Sequence, residues 1–152
     1  MMPVLVRSRL HRKLVILPRI QVLAQKILAA SGVPAAELSL DLVGDRRIRR
    51  LNRQYRGRDH PTDVLAFPMR EVAGPASSLF LGDVVISLHT AARQAEACGH
   101  SLDHEVVMLL IHGTLHLCGY DHERGAREAH RMRRKELAIL RSLTPLPKLV
   151  KT

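Results

Sequence analysis

Apolar and polar positions along the chain follow two spacings, one typical of helices and the other of strands. Apolar residues three and four apart predict helices over 19–30, 45–53, 88–97, 101–118 and 123–140. Short alternating or continuous apolar runs predict strands over 4–7, 38–43, 63–67 and 79–87, the last interrupted at Gly82-Asp83. Helices mixed with short neighbouring strands favour an α+β fold, with a small sheet packed on helices.

Capping and turn residues mark the boundaries of these segments. Asp45 and Ser101 are each predicted to cap the helix that follows. A turn is predicted over 57–61, a mobile Gly/Pro/Ser loop over 71–78, and a loose tail over 144–152. The chain of 152 residues fits one domain, spanning 1–152.

The positive charge is concentrated in the first part of the chain. Residues 1–58 hold 13 Lys and Arg against three acids, whereas residues 59–152 hold 11 of each. A concentrated basic surface is typical of proteins that bind polyanions, because phosphate contacts release counterions. The chain has no Trp, two Tyr and two Phe, so base stacking on Trp, Tyr or Phe is not expected to dominate binding. The other reading is a solvated basic face.

Cysteine usage and hydropathy indicate a cytoplasmic protein. Cys98 and Cys118 do not make a disulfide framework, which favours a reducing compartment. No run approaches 18 apolar residues, and the N-terminus lacks the pattern of a secretory signal. We therefore expect no membrane association.

The segment HGTLHLCGYDH at 112–122 carries the strongest chemical signal. His112 and His116 are one helical turn apart, and Gly119 lets the chain turn so that His122 faces the same point. Three neutral imidazoles and one open position are typical of a catalytic zinc site. Asp121 and Glu105 are candidates to accept hydrogen bonds from the imidazoles, or else are surface charges.

The spacing of the histidines matches a zinc-protease pattern, but the glutamate that acts there as general base is replaced by Gly113. A metalloprotease-like hydrolase is therefore one alternative. A non-catalytic ribosome-associated protein with a structural zinc is another.

Three segments together resemble the YbeY family of bacterial endoribonucleases. They are LNRQYRGRDHPTDVLAFP at 51–68, LGDVVIS at 81–87 and HGTLHLCGYDH at 112–122, in the same order as in the family. The resemblance implies a mixed four-stranded sheet with about five helices and the metal site on a central helix and the following turn. It also implies one Zn²⁺ per chain, bound by His112, His116 and His122, and a functional arginine at Arg56.

The resemblance further implies a role in RNA metabolism. Family members cleave single-stranded RNA during rRNA maturation, notably at the 3′ end of the small-subunit rRNA, and act in ribosome quality control. The partners expected on this ground are an rRNA precursor and the small ribosomal subunit with its assembly factors, and no DNA. An arginine row on the helix over 45–53 is the predicted RNA-binding surface; its members are Arg46, Arg47, Arg49, Arg50 and Arg53.

Cleavage of a phosphodiester would explain why the glutamate of the protease pattern is missing. Zinc can polarise a phosphoryl oxygen and activate water, and a guanidinium such as Arg56 can stabilise charge on phosphate oxygens. Gly113 would leave room for a bulky backbone beside the metal. Asp83, a carboxylate inside an apolar strand, is the candidate base, with a bulge or capping role as the alternative. Water and the 2′-hydroxyl of the RNA both remain candidate nucleophiles.

Overall fold

A four-stranded mixed sheet forms the centre of the protein. The computed structural model describes residues 4–8, 16–69 and 80–150. The strands are β1 (Val4–Ser8), β2 (Glu37–Val43), β3 (Val64–Pro68) and β4 (Phe80–Ser87). Their order is β1-β2-β4-β3, with β1, β2 and β4 parallel and β3 antiparallel to β4. The α+β class and the mixed four-stranded sheet are confirmed.

Five helices surround this sheet. They are α1 (Leu17–Ala30), α2 (Asp45–Arg56), α3 (Leu88–Cys98), α4 (Leu102–Leu117) and α5 (Ala126–Leu143). The last helix begins later than predicted, because the segment His122–Arg124 forms a separate 3-10 turn that Gly125 divides from α5.

The helices pack on both faces of the sheet, and the large core lies on the face of α4. Leu110, Ile111 and Leu115 of α4 are fully buried in a cluster shared with Val84 and Ile86 of β4. The helices α1 and α5 contact α4 there. A smaller cluster on the opposite face packs α2 against the sheet; its buried members are Val43, Ile48, Leu65 and Val85. Alternate residues of β4 therefore serve two separate cores.

The two predicted helix caps have different outcomes. Ser101 caps α4 as predicted, since its side chain accepts a hydrogen bond from the backbone N–H of His104 at 3.1 Å. The cap predicted at Asp45 is wrong, because Gly44 occupies the N-cap position without a side-chain bond. Asp45 instead accepts hydrogen bonds from the hydroxyls of Ser87 and Thr90 at 2.7 and 2.6 Å. It thereby ties the start of α2 to the β4–α3 junction.

The predicted interruption of β4 is a local irregularity in a continuous strand. The pairing register with β2 shifts between Glu37 and Leu38, opposite Phe80 and Gly82. A Cβ at Gly82 would overlap the carbonyl oxygen of Phe67, and the φ of Gly82 is +141°. Glycine therefore allows the close approach of β3 at this point.

The prediction of a loose tail is wrong for residues 144–150. Leu149 is fully buried, and its backbone N–H donates to the Asp103 carboxylate at 2.6 Å, as does that of Val150 at 2.9 Å. Two apolar side chains and a carboxylate acceptor on α4 therefore anchor the segment. The loop predicted over 71–78 lies outside the described residues.

Candidate active site

An open cleft of about 830 Å³ runs along the exposed face of α4. Its walls come from the end of α2, the segment 58–66, the turn after α4, and α5. Six of the nine histidines of the chain line it; they are His60, His100, His104, His112, His116 and His122.

The structure brings His112, His116 and His122 into this cleft together. The first two lie one turn apart on α4, and His122 begins the 3-10 turn beyond it. The ring centroids of His112 and His122 are 5.0 Å apart. Two imidazoles ten positions apart in the sequence therefore face each other across the end of α4.

The turn after α4 positions His122. Gly119 takes a φ of +103°, which favours glycine, and the N–H of Tyr120 returns to the carbonyl of Leu115 at 3.1 Å. The guanidinium of Arg131 lies over the Tyr120 ring at 4.4 Å from its centroid. The Asp121 carboxylate accepts from the N–H of Glu123 at 2.9 Å and so caps the 3-10 turn. Asp121 therefore orders the backbone that carries His122.

Among the described residues, Glu136 of α5 is the carboxylate that contacts one of the three histidines of the 112–122 segment directly. Its Oε2 lies 2.6 Å from Nδ1 of His112, and the residue is only 7% exposed. The sequence had pointed to Asp121 and Glu105 for this role. A signal for Glu136 did exist, because it lies on the same face of an amphipathic helix as the buried Met132 and Ile139, where a carboxylate needs a partner.

His116 is held in its neutral form. Burial lowers the pKa of His116 below its usual value. The carboxylate of Asp121 opposes this effect, while the charge of Arg56 and the neighbouring histidines add to it. A neutral imidazole keeps a lone pair for a metal or a hydrogen-bond donor.

Arg56 reaches the cleft from the opposite side of the sheet. It is the last residue of α2, and its guanidinium donates to the carbonyl of Ala66 on edge strand β3 at 3.3 Å. Gly57, with a φ of +68°, ends the helix there. The buried Asn52, which sequence reasoning missed, donates to the carbonyl of His60 at 2.9 Å and ties down the following loop.

Gly113 faces the sheet. A Cβ placed there would lie 2.8 Å from a methyl carbon of Val84 and 3.5 Å from one of Val64. A packing reason for this glycine therefore stands beside the predicted one, since Gly113 also lines the cleft. Any side chain at this position, a glutamate included, would have to displace the Val84 side chain.

Asp83 is not brought to the histidines. It lies on β4 with its side chain on the same face as Val85, which packs against α2, and it does not line the cleft.

The predicted RNA-binding arginines also lie outside the cleft. Arg46, Arg49, Arg50 and Arg53 are exposed on α2, while Arg47 is partly buried. Both Nε and Nη2 of Arg49 are engaged by Asp59.

The donor chemistry of the cleft fits a zinc ion, although the side chains are not preassembled. Among residues 4–8, 16–69 and 80–150, no three His, Cys, Asp or Glu side chains are arranged as a formed metal site. Three imidazoles, one of them kept neutral and another backed by a carboxylate, are nevertheless the donor set that zinc prefers. Cys98 and Cys118 are both free thiols, and burial raises the pKa of the Cys118 thiol.

No helix in the described part of the chain is long and apolar enough to cross a membrane.

Comparison with known proteins identifies the family. The family model described as "Endoribonuclease YbeY" matches residues 10–144. The chain is 46% identical over 140 residues to a protein named endoribonuclease YbeY from Geobacter metallireducens, covering 91% of this chain and 93% of the relative. It is 46% identical over 136 residues to the protein of that name from Aquifex aeolicus, covering 90% and 89%. A third, from Pelotomaculum thermopropionicum, is 54% identical over 121 residues, covering 77% and 79%.

A solved structure shares the fold. The solution structure of TM1509 from Thermotoga maritima superposes with a TM-score of 0.62 at 24% identity, covering 95% of this chain and 99% of the other. The family model and the matched relatives show that this chain belongs to the endoribonuclease YbeY family.

Proposed function

We propose that the protein is a zinc-dependent endoribonuclease that cleaves single-stranded RNA during rRNA maturation. The observation that carries the proposal is the meeting of His112, His116, His122 and Arg56 in one cleft of a YbeY-family chain. Imidazoles and a guanidinium are the groups that phosphodiester chemistry needs. The relatives named endoribonuclease YbeY support the same reaction.

Each side chain has a distinct part in the proposed mechanism. The three histidines would hold one zinc ion, which supplies Lewis-acid polarisation of a phosphoryl oxygen and lowers the pKa of water. Glu136 keeps the proton of His112 on Nδ1, so that Nε2 carries the lone pair. Arg56 offers its guanidinium to the phosphate oxygens on which charge develops. Its bond to Ala66 keeps it at the cleft without a carboxylate partner among the described residues.

The substrate and partners extend this proposal. The proposed substrate is an rRNA precursor, in particular the 3′ end of the small-subunit rRNA. The proposed partners are the small ribosomal subunit and its assembly factors. Ribosome quality control in the cytoplasm is the proposed setting. The exposed arginines of α2 support a polyanionic substrate.

The proposal is tested by RNA cleavage with matched variants. Arg56→Ala should lower the cleavage rate by roughly a hundred- to a thousandfold, the usual effect of removing one preorganised donor, while zinc content stays at the wild-type value. Arg127→Ala, which removes an exposed arginine of α5 outside the cleft, is the control and should retain most activity. Unchanged cleavage by Arg56→Ala, or loss of zinc in it, would contradict the assigned role.

The nucleophile is distinguished by the product. Water attack leaves ordinary phosphate ends and tolerates a single 2′-deoxy nucleotide at the cut site, and this is the expected result. Attack by the 2′-hydroxyl leaves a 2′,3′-cyclic phosphate and fails on the deoxy substrate.

A protease function is the alternative tested in the same experiment. Casein should remain intact under conditions in which RNA is cut, because Gly113 packs against Val84 and leaves no place for a glutamate base. A non-catalytic zinc protein would cleave neither substrate, and His116→Ala would then change no rate.

A further inference from the structure

A second polar cluster lies in the same cleft, at the other end of α4. The Nε2 of His100 contacts Oε1 of Glu105 at 2.5 Å, and the ring centroids of His100 and His104 are 4.4 Å apart. All three residues line the cleft. The sequence pointed to Glu105 only as an acceptor for the three histidines of the 112–122 segment, and the proposed zinc chemistry does not use the cluster.

A purely structural role does not account for the cluster. Ser101 already caps the start of α4, so the helix does not need these side chains to begin. Glu105 is only 8% exposed, and Nδ1 of His104 is buried without a hydrogen-bond partner in the described part of the chain. Burying a carboxylate and partly burying two imidazoles costs more than burying apolar side chains would. A ligand that meets the cluster would offset that cost.

The geometry of α4 relates the cluster to the proposed cleavage site. His104, Met108 and His112 follow one another at intervals of four residues and so form one stripe along the cleft. Eight residues of helix separate the two histidines by roughly 12 Å. Stacked nucleotides advance by about 3.4 Å each. A strand cut at the His112 end would therefore place a base about three nucleotides away at the second cluster.

The chemistry of the cluster suits a nucleobase. Every aromatic ring that lines the cleft in the described part of the chain is an imidazole, and unpaired bases stack on such rings. Oε1 of Glu105 is engaged by His100, which leaves the second carboxylate oxygen as an acceptor. A carboxylate accepts from the exocyclic amino group of a base, as it does from cytosine N4. Uracil has no such group.

We propose that His100, His104 and Glu105 form a subsite that binds an unpaired, amino-bearing nucleobase a few nucleotides from the scissile phosphate. This inference rests on the proposed endoribonuclease function, and it names the part of the RNA that the cleft selects. The imidazoles supply the stacking surface and Glu105 supplies the discrimination.

Binding is measured without cleavage, by NMR of the histidine ring signals. The probes are the four nucleoside 5′-monophosphates and ribose 5-phosphate. The His100 and His104 rings should shift with CMP, AMP and GMP at concentrations about tenfold lower than with UMP, the effect of one charge-assisted hydrogen bond. Equal shifts with all four nucleotides would overturn the proposal by showing a site that does not select amino-bearing bases. Equal shifts with ribose 5-phosphate would overturn it by showing an anion site only.

Variants then connect binding to sequence preference. On an RNA pool with randomised positions, wild type should disfavour uracil by about tenfold at one position near the cut, the same ratio that one charge-assisted hydrogen bond gives. Glu105→Gln should remove most of that preference while the zinc content is unchanged. His104→Leu is a second variant, for use if Glu105→Gln does not fold. It is expected to weaken the binding of all four bases. His130→Gln, in an exposed residue of α5 outside the cleft, is the control.

The two proposals fail in different ways. Cleavage with no base preference and no ring shift would reject the subsite and leave the endoribonuclease function standing. Ring shifts selective for amino-bearing bases in a protein that cuts no RNA would reject the nuclease function and keep the base-binding site.

Discussion

At the scale of single residues, the cleft depends on partners that come from distant parts of the chain. His112 owes its orientation to Glu136, 24 residues later, and Arg56 owes its place to a carbonyl of β3. A residue type at a given spacing can therefore indicate a ligand, but the group that orients this ligand follows from how α4 and α5 pack.

Glu136→Gln is expected to weaken zinc binding by roughly ten- to a hundredfold, as is usual when the carboxylate behind a ligating histidine is removed. Competition with a chromophoric chelator measures the affinity independently of activity. Glu128→Gln, on the same helix and paired at the surface with Arg131, is the matched control and should bind zinc like wild type. Equal affinities for Glu136→Gln and wild type would show that this carboxylate does not serve the metal.

At the scale of elements, close packing of α4 on β4 decides what the cleft can contain. Gly113 lets the helix approach the sheet, so that His112 and His116 emerge beside the edge strand and Arg56. On the other face, Asp45 links the start of α2 to α3 through three side chains, which are Ser87, Thr90 and Arg93. Contacts between elements, more than the elements themselves, hold the two sides of the cleft in place.

Gly113→Ala should destabilise the protein by about 1–2 kcal/mol, because overpacking against Val84 outweighs the better helix propensity of alanine. Urea unfolding followed by circular dichroism gives the free energy. Val84→Ala creates space at the same point, so the double variant should be more stable than the sum of the two single changes implies. Strict additivity would show that the methyl group does not meet Val84.

The Asp45 link predicts a dependence of stability on pH. Partial burial alone would raise the pKa of Asp45, but hydrogen bonds from Thr90, Ser87 and Arg93 outweigh it and hold the pKa below the ordinary 3.8. The contribution of the Asp45 carboxylate to the free energy of unfolding is therefore complete above pH 3.8. It is lost as the pH falls through the lower pKa that Asp45 has in the folded state.

Asp45→Asn should accordingly reduce the free energy of unfolding by about 1–3 kcal/mol at pH 7, and the difference from wild type should shrink below about pH 4. Unfolding curves at a series of pH values test this. Asp59→Asn, which breaks an exposed pair with Arg49, should change little at any pH. A difference for Asp45→Asn that does not vary with pH would mean that its carboxylate charge is irrelevant.

At the scale of the whole molecule, positive charge lies beside the cleft more than within it. Three arginines line the cleft together with five acidic residues; the acids are Asp63, Glu105, Asp121, Glu123 and Glu136. Exposed arginines continue along α2, and Arg49, Arg53 and Arg56 share one helix face that ends at the cleft. The helix is therefore the surface on which we expect phosphate contacts that lead a strand towards the histidines.

Reversing the charge of Arg46, Arg50 and Arg53 should weaken RNA binding and reduce the slope of log K against log salt by about 0.7 for each phosphate group that the variant no longer binds. Arg49 is left intact because Asp59 already engages it. The same reversal at Arg127, Arg134 and Arg141 of α5 keeps the change in net charge equal and should alter the slope less. Equal slopes for both triple variants would show that net charge alone, and not the surface of α2, attracts RNA.

Local patterns in the sequence were sufficient for most of the elements and for the meeting of the three histidines. Apolar spacing predicted the helices and strands, and the intervals between His112, His116 and His122 predicted three imidazoles in one place, because both depend on residues near in sequence. Only the tertiary structure decided which carboxylate backs His112, which face of β4 carries Asp83, why position 113 must be glycine, and that residues 149 and 150 are buried. These depend on the order of strands and on which helix covers which face of the sheet. The free energies that select that arrangement come from interactions between residues far apart in the chain, and periodicity along the sequence carries no record of them.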